Sequence, residues 1–232
     1  MTIGDSGRMT TTLVTGANKG LGFETARRLI AEGHTVWMGA RDAGRGRRAA
    51  DELGGRFVQL DVTDDDSVQA AAGLVEDLDV LINNAGIAGP YKQQGDFTAG
   101  DLAAVYATNV FGVVRVTHAF LPLLARSDNP VIVNVSSGLA SISRTLEAEV
   151  PYPGLAYGSS KTAVNMLTVQ YAKAFPAMRI NCVEPGYTAT ALNGFQGHQT
   201  VPEGAEVIVR MATIGPDGPT ATYTDRHGVL PW

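Results

Sequence analysis

Short apolar runs and helix-length segments alternate along this chain from residue 11 to about residue 185. Runs such as VIVNV and RINCV do not alternate apolar with polar residues, as a strand exposed on one face would. Strands with this pattern are covered on both faces, because helices pack on either side of a parallel sheet. The sequence therefore predicts an α/β fold with a doubly wound parallel sheet, whose strands lie at Thr12–Thr15, Thr35–Gly39, Arg56–Leu60, Asp79–Ile82, Val131–Val135 and Arg179–Val183.

The longest predicted helix covers residues 155–175. Its apolar residues recur at spacings of three and four, which places them on one helix face: Val164, Leu167, Tyr171 and Phe175. No Pro/Ser-rich linker and no repeat interrupts the alternation, so we expect one domain over residues 1–232. Within it we expect a flexible N-terminus over residues 1–9 and a mobile substrate-loop region over residues 191–213, in which EVIVRMA could start a helix.

The first predicted strand runs directly into TGANKGLG, and a helix-compatible segment follows. Gly16, Gly20 and Gly22 permit a sharp turn that brings backbone N–H groups close to a pyrophosphate at a helix N-terminus. The spacing is neither GxGxxG nor a Walker A loop, since no Lys-Ser/Thr pair follows the last glycine. The alternative is a tight turn that binds nothing. The dinucleotide interpretation assigns binding to Gly16, Asn18, Lys19, Gly20, Leu21 and Gly22.

Arg41 lies where the second strand is predicted to end, the position at which Asp or Glu binds the ribose 2′-OH of NAD. Its planar guanidinium can pair with a 2′-phosphate, and Lys19 adds a second positive charge nearby. These residues favour NADP(H) over NAD(H). The alternative depends on Asp42, because a strand ending one residue later puts that carboxylate in the NAD position. Arg41 would then be a solvated loop charge.

Polar residues also follow the third and fourth predicted strands. Asp61 and Val62 close the third strand, and the TDDDS segment after them can cap the next helix. The NNAG sequence offers side-chain amides and a glycine where a ligand must lie close, although NNAG alone is an ordinary turn. We expect cofactor contacts from Asp61, Val62, Asn84, Ala85 and Gly86.

Tyr157 and Lys161 lie four residues apart in AYGSSK, so their side chains emerge from the same helix face. A phenol, with a pKa of about 10, is a poor base at neutral pH, but a nearby ammonium group lowers that pKa by roughly 1 to 3. Lys161 is therefore expected to tune Tyr157 for proton transfer. An isolated YxxxK is more commonly a plain surface pair, so this prediction depends on the other motifs.

The segments TGANKGLG, NNAG, NVSS and YGSSK occur in this order, and the ordered set resembles the short-chain dehydrogenase/reductase family. The resemblance covers residues 11 to about 190, and GARDAGRG is similar to carbonyl-reductase-like members. It implies a Rossmann-like sheet in the order 3-2-1-4-5-6, with a seventh strand left open. It also implies an NADP(H)-dependent enzyme that moves a hydride between the nicotinamide C4 and a small carbonyl or alcohol substrate.

Roles for single residues follow from the same resemblance. Tyr157 would exchange a proton with the substrate oxygen, as general acid in reduction. Tyr157 and Lys161 would also bind the cofactor, Lys161 at the nicotinamide ribose. Ser137 would hold the substrate carbonyl, with Ser136 as the alternative. Asn109 matches the family asparagine that kinks a helix and holds a relay water; otherwise it is a polar residue bonded to backbone. PGYTAT matches the family contact to the nicotinamide carboxamide, here Pro185, Gly186, Thr188 and Thr190.

The chain departs from the family pattern between Ser137 and Tyr157, where SISRTLEAEVPYPG makes the segment longer than usual. Extra residues between Leu139 and Tyr152 therefore line the site, and the expected substrate is a modest, largely uncharged carbonyl. In carbonyl-reductase-like members such insertions accompany monomers. The C-terminus also lacks the Asp-Gly-Gly ending frequent in the family, so a monomer or dimer is favoured over a tetramer. The longer segment also leaves an alternative function, a catalytically idle dinucleotide sensor or scaffold.

Composition excludes several other classes of protein. Eighteen basic and 23 acidic side chains give a net charge of −5, with no basic cluster to follow a nucleic-acid backbone. No apolar stretch approaches the roughly 18 residues of a membrane helix, so no membrane contact is expected. The single cysteine, Cys182, fits a reducing, cytoplasmic setting. The absence of a GxSxG elbow argues against a hydrolase, and four scattered histidines predict no metal site.

Overall fold

The computed structural model describes residues 9–147 and 154–232. Seven parallel strands form one sheet in the order β3-β2-β1-β4-β5-β6-β7. The predicted doubly wound parallel sheet is confirmed, and the strand left open by the sequence is present. The strands are β1 (Thr11–Thr15), β2 (Thr35–Ala40), β3 (Arg56–Gln59), β4 (Val80–Asn83), β5 (Val131–Val135), β6 (Arg179–Val183) and β7 (Tyr223–Thr224).

Helices connect the strands and cover both faces of the sheet. They are α1 (Gly20–Ala31), α2 (Ala43–Leu53), α3 (Asp65–Leu74), α4 (Ala99–Tyr106), α5 (Gly112–Leu124), α6 (Ile142–Glu147), α7 (Leu155–Ala174) and α8 (Val201–Ala212).

Neighbouring strand residues belong to two different hydrophobic cores. Val14 and Ile82 pack with residues of α1 and α8, whereas Leu13 and Leu81 pack with residues of α3 and α5. Successive side chains of a strand point to opposite faces of the sheet, so β1, β4, β5 and β6 each contribute to both cores. This explains why the apolar runs do not alternate. Each large side chain that is fully buried in this way contributes roughly 1.5–3 kcal/mol relative to its exposure.

The predicted mobile loop is wrong over residues 201–205, because α8 already begins at Val201, whereas the possible helix start at EVIVRMA lies within that helix. Thr200 caps that helix, accepting a hydrogen bond from Glu203 N, while the Glu203 carboxylate accepts bonds from Thr200 N and Oγ1. This reciprocal capping box satisfies backbone groups at the helix start. The apolar face with Val207 and Ile208 is buried against the sheet, so the segment folds as helix.

The chain is helical without a break from Ala99 to Leu124, through a π-helical turn at Ala107–Phe111. With a mean hydropathy of 1.3, this helix is long and apolar enough to cross a membrane. The expectation that no apolar stretch reaches that length is therefore wrong by this measure. Phe120 and Leu124 are buried in the core against the sheet, so we interpret the segment as a core helix.

Two sequence predictions include residues outside the described part of the chain. In the predicted flexible N-terminus, residues 1–8 lie outside the described part, and Met9 is exposed. Of the longer segment after Ser137, residues 148–153 lie outside it, and the part before them contains α6.

Candidate active site

A cleft of about 1400 Å³ opens at the carboxyl ends of the parallel strands. Ligands of doubly wound sheets bind in this place, where loops from several strands meet. Every residue that the sequence assigned to cofactor binding or catalysis lines the cleft, apart from Asn109. Chain segments that are distant in sequence therefore converge on one site.

The glycine turn between β1 and α1 depends on its glycines for space and for backbone conformation. Gly16 and Gly20 adopt φ values of 65° and 56°, which favour glycine. A Cβ on Gly22 would lie 2.6 Å from Gly16 O and 2.5 Å from Asn84 Nδ2. Lys19, which precedes α1, provides no side-chain cap, so the helix presents its first N–H groups to the cleft. The turn thus fits a pyrophosphate.

Asn84 braces this turn from the end of β4. Its Nδ2 donates to Thr15 O at 2.8 Å and to Gly16 O at 3.3 Å. The backbone N–H groups of Asn84 and Ala85 both donate to Thr15 Oγ1 at 3.0 Å. The NNAG segment therefore supports the glycine turn, because the side-chain amide of Asn84 bonds to two carbonyl groups of that turn.

Arg41 and Asp42 lie in different surroundings at the end of β2. Because the strand ends at Ala40, Arg41 is the first residue beyond it, and its exposed side chain lines the cleft. Asp42 caps α2 by accepting from Arg45 N at 2.8 Å, and this bond lowers the pKa of its carboxyl group. Asp42 also pairs with the Arg45 guanidinium at 3.3 Å. Its carboxylate is thus engaged within its own helix.

Asp61 and Val62 line the cleft just after β3, the neighbour of β2 in the sheet. Asp61 Oδ1 accepts bonds from Thr63 N at 3.0 Å and Thr63 Oγ1 at 2.7 Å. The cap of α3 is Asp64, whose side chain accepts from Ser67 N at 2.8 Å. In this segment Asp64 therefore caps α3, whereas Asp61 and Val62 line the cleft.

Lys161 is buried between β5 and Tyr157. Its Nζ donates to Val135 O at 2.8 Å and lies 5.7 Å from the centroid of the Tyr157 ring. Burial lowers the pKa of Lys161 to about 8, because the charged form loses hydration. One helical turn therefore brings a buried amine against a phenol at the cleft wall, as the spacing predicted.

Asn109 is fully buried in the π-helical turn between α4 and α5. Its Nδ2 donates to Ile87 O at 2.9 Å and to Ser160 Oγ at 3.0 Å, and its Oδ1 accepts from Ile87 N at 2.9 Å. The predicted helix distortion is present, and the alternative reading, bonding to backbone, also describes the residue. Through Ser160, Asn109 joins the loop after NNAG to the helix of Tyr157.

The two serines after β5 have different surroundings. Ser136 is buried and its Oγ donates to Asn165 Oδ1 at 2.6 Å. Ser137 is half-buried at the cleft, and its Oγ accepts a long bond of 3.3 Å from Leu139 N. The Ser137 hydroxyl thus retains its donor for a ligand, which favours Ser137 over Ser136.

The threonines of PGYTAT are already engaged within the segment. Thr188 is buried, its Oγ1 donates to Gly186 O at 3.1 Å and its carbonyl accepts from Asn193 Nδ2 at 2.9 Å, which leaves its backbone N–H for a ligand. Thr190 Oγ1 accepts from Leu192 N at 3.3 Å. Gln199 Nε2 donates to Pro185 O at 2.6 Å, which ties the loop before α8 back onto this turn.

Sequence reasoning missed four charged residues that line the cleft: Arg45, Glu184, Asp225 and Arg226. Glu184 follows β6 directly, and an acidic residue immediately after a buried strand is a signal that the sequence contained. Asp225 directly follows β7, a strand of two residues that no apolar run in the sequence predicts. Across residues 9–147 and 154–232, no group of three His, Cys, Asp or Glu residues is placed to hold a metal ion.

A glycine turn at a helix N-terminus and a Tyr–Lys pair in the same cleft define a dinucleotide-dependent oxidoreductase. The family model described as short chain dehydrogenase matches residues 10–200. The chain belongs to the short-chain dehydrogenase/reductase family, whose members use a nicotinamide dinucleotide.

Three relatives illustrate the similarity. Short-chain dehydrogenase/reductase 1 of Saponaria officinalis is 33% identical, over 95% of each chain. The (-)-isopiperitenone reductase of Mentha piperita is 30% identical, over 94% of this chain and 96% of the relative. The structure of salutaridine reductase from Papaver somniferum superposes with a TM-score of 0.82 at 28% identity, covering 94% of this chain and 99% of that one.

Proposed function

We propose that this protein is an NADP(H)-dependent carbonyl reductase that reduces an aldehyde or ketone to an alcohol, or catalyses the reverse reaction. One observation carries the proposal: the Lys161 amine lies against Tyr157 in the cleft that the Ser137 hydroxyl also lines. These are the groups needed to hold a carbonyl and to deliver a proton to its oxygen.

The cofactor preference rests on charge at the end of β2. The Arg41 guanidinium makes no hydrogen bond or ion pair with any described residue, and Lys19 lines the same cleft. A 2′-phosphate would give the Arg41 guanidinium a bidentate partner. Asp42 would bind the 2′-OH of NAD only by leaving its cap of α2. When bound, NADPH supplies the hydride.

Proton transfer is the task of the protein side chains. Tyr157 would donate its phenolic proton to the substrate oxygen, and Ser137 would hold that oxygen by a hydrogen bond. With a pKa of about 8, Lys161 is mainly protonated at pH 7, and its charge favours the phenolate that Tyr157 becomes. Asn109 holds Ile87 and Ser160, and so keeps the helix of Tyr157 in place.

The substrate that fits the cleft is an uncharged carbonyl with an apolar body. Ile87, Tyr187, Leu192 and Phe195 line the cleft, although each is a large apolar side chain exposed to solvent by 40% or more. Exposed apolar surface at a cleft is typical of a ligand site. Two of the relatives are named as reductases of salutaridine and isopiperitenone, which is consistent with this class.

The test is NADPH oxidation with a panel of aldehydes, ketones and quinones. Tyr157→Phe should abolish turnover while leaving NADPH affinity unchanged within about twofold, because the aromatic ring stays in place and only the proton donor is lost. Tyr171→Phe, on the same helix but distant from the cleft, is the matched control. NADPH binding without turnover of any substrate would favour the alternative function, a dinucleotide sensor or scaffold.

We also propose that the protein is a cytoplasmic monomer or dimer rather than a tetramer, without a nucleic-acid or membrane partner. The support is the longer segment between Ser137 and Tyr157, part of which is α6. Sedimentation equilibrium measures the assembly directly, and a tetramer at micromolar concentration would contradict the proposal.

A further inference from the structure

The peptide group between Ser137 and Gly138 is held by side chains at both of its polar atoms. The Ser137 carbonyl accepts a hydrogen bond of 2.5 Å from Tyr223 Oη. The Gly138 N–H lies against the Glu184 carboxylate, whose Oε1 would be 3.5 Å from a Cβ built on that glycine. Neither Glu184 nor Tyr223 belongs to the motifs of the family resemblance, and the proposed chemistry does not use either residue.

Glu184 connects this peptide group to a second turn of the cleft. Its Oε1 also accepts from Gly186 N at 2.9 Å. One carboxylate therefore binds the turn after β5, which carries Ser137, and the turn after β6, which carries Pro185 and Gly186. A carboxylate can accept both N–H groups, whereas a glutamine offers one oxygen and an NH₂ that would face a donor.

The surroundings of these two side chains suit their roles. Tyr223 is fully buried and its ring stacks on Trp232, with the ring centroids 5.7 Å apart. Burial raises the pKa of Tyr223, so the phenol remains a donor. Burial also raises the pKa of Glu184, against the opposing effects of its two amide bonds and of Arg144. The charged and titratable groups that face Glu184 are Arg144, Asp225 and Tyr223.

We propose that Glu184 and Tyr223 are positioning residues that fix the plane of the Ser137–Gly138 peptide and so aim the Ser137 hydroxyl into the cleft. Rotation of this peptide plane would change ψ of Ser137, which is 152°, and φ of Gly138. With the plane held at both ends, Ser137 is pre-organised before substrate arrives. The catalytic consequence rests on the proposed function, whereas the clamp itself is a property of the folded chain.

The clamp is tested first without any ligand, by following the backbone amides of labelled protein by NMR during a pH titration. The Gly138 and Gly186 amide signals should move together with one midpoint, above the ordinary pKa of glutamate. In Glu184→Gln that common titration should vanish, while in the control Glu52→Gln, on exposed α2, it should persist. Separate midpoints for the two glycines, or a titration retained in Glu184→Gln, would overturn the proposal.

Kinetics supply the second test, at a constant NADPH concentration. Tyr223→Phe removes one hydrogen bond to the Ser137 carbonyl and keeps the stacked ring, so we expect kcat to fall roughly tenfold with NADPH affinity unchanged. Glu184→Gln should also lower kcat and remove the acid limb of the wild-type pH profile. Tyr171→Phe is again the control. A kcat within about twofold of the wild type in both variants would contradict the positioning role.

The two tests separate this inference from the proposed function. If the wild-type protein reduces no carbonyl but the paired titration is observed, the clamp stands and the enzymatic assignment fails. If the wild type is active and the glycine signals do not titrate together, the clamp fails alone. Should Glu184→Gln not fold, Tyr223→Phe still tests the clamp through amide exchange at Gly138, which should be faster than in the wild type.

Discussion

Replacing Gly22 by alanine tests whether the glycine turn is built by close backbone packing. The added Cβ would lie 2.6 Å from Gly16 O and 2.5 Å from Asn84 Nδ2, well inside van der Waals contact. Asn84 would have to withdraw, and its bonds to Thr15 O and Gly16 O would be lost. Because these atoms belong to the turn itself, the turn must change shape.

The magnitude follows from these contacts. Overpacking a filled site costs about 1–3 kcal/mol, and each lost hydrogen bond about 1 kcal/mol. The free energy of unfolding should therefore fall by about 3–5 kcal/mol in Gly22→Ala. For a chain of this size about 2–4 °C of Tm accompany each kcal/mol, so a fall of about 6–20 °C is expected. NADPH affinity should fall as well, because the first N–H groups of α1 move.

Gly73→Ala is the matched control for Gly22→Ala. Gly73 lies at an exposed position of α3, and a Cβ there would meet no atom within 4 Å. Alanine should stabilise that helix by roughly 0.5–1 kcal/mol, since glycine loses more backbone entropy on folding. Thermal unfolding and NADPH titration measure both variants. A Gly22→Ala protein with the wild-type Tm and NADPH affinity would refute the packing argument.

Two further predictions concern charge. Arg41→Ala should weaken NADPH binding by about 1.5–3 kcal/mol, roughly 10- to 150-fold, and leave NADH binding unchanged. Fluorescence titration measures both affinities. Equal losses for the two cofactors would contradict the assignment of Arg41 to the 2′-phosphate. His34, bonded to Thr12 Oγ1 at 2.8 Å, has its pKa lowered by burial, so the unfolded chain binds more protons than the folded one. Stability should therefore fall as pH drops through the ordinary histidine pKa, about 6.5, and urea midpoints at pH 7.5 and 5.5 should differ less in His34→Gln.

Much of the sheet could be predicted from the sequence, because strands buried on both faces require continuous apolar runs. The runs at Val131–Val135 and Arg179–Val183 match β5 and β6 residue for residue. The two-residue β7 could not be found, since its pairing with β6 rather than its own composition makes it a strand. The start of α8 was missed because its small and polar first turn resembles a loop, although Thr200 and Glu203 already form a capping signal.

Some residues of the candidate site were likewise predictable from the sequence, and others depend on the fold. The glycine turn and the Tyr157–Lys161 pair were predictable because their geometry is local, set by a strand-to-helix turn and by one helical turn. The choice between Ser136 and Ser137 was open, because it depends on Asn165, a residue of another element. The role of Asp42 was open for a related reason, since it depends on where β2 ends and α2 begins.

The order of residues along the chain alone determined the class of sheet, the dinucleotide turn and the paired phenol and amine, because periodicity and short-range spacing encode them. Tertiary structure decided the different hydrogen bonds of Ser136 and Ser137 and the burial of Lys161. It also decided the contacts of Glu184 and Tyr223 with the turns that follow β5 and β6. Hydrogen bonds and desolvation at these places join atoms from strands distant in sequence, and only the folded arrangement brings those atoms within reach of each other.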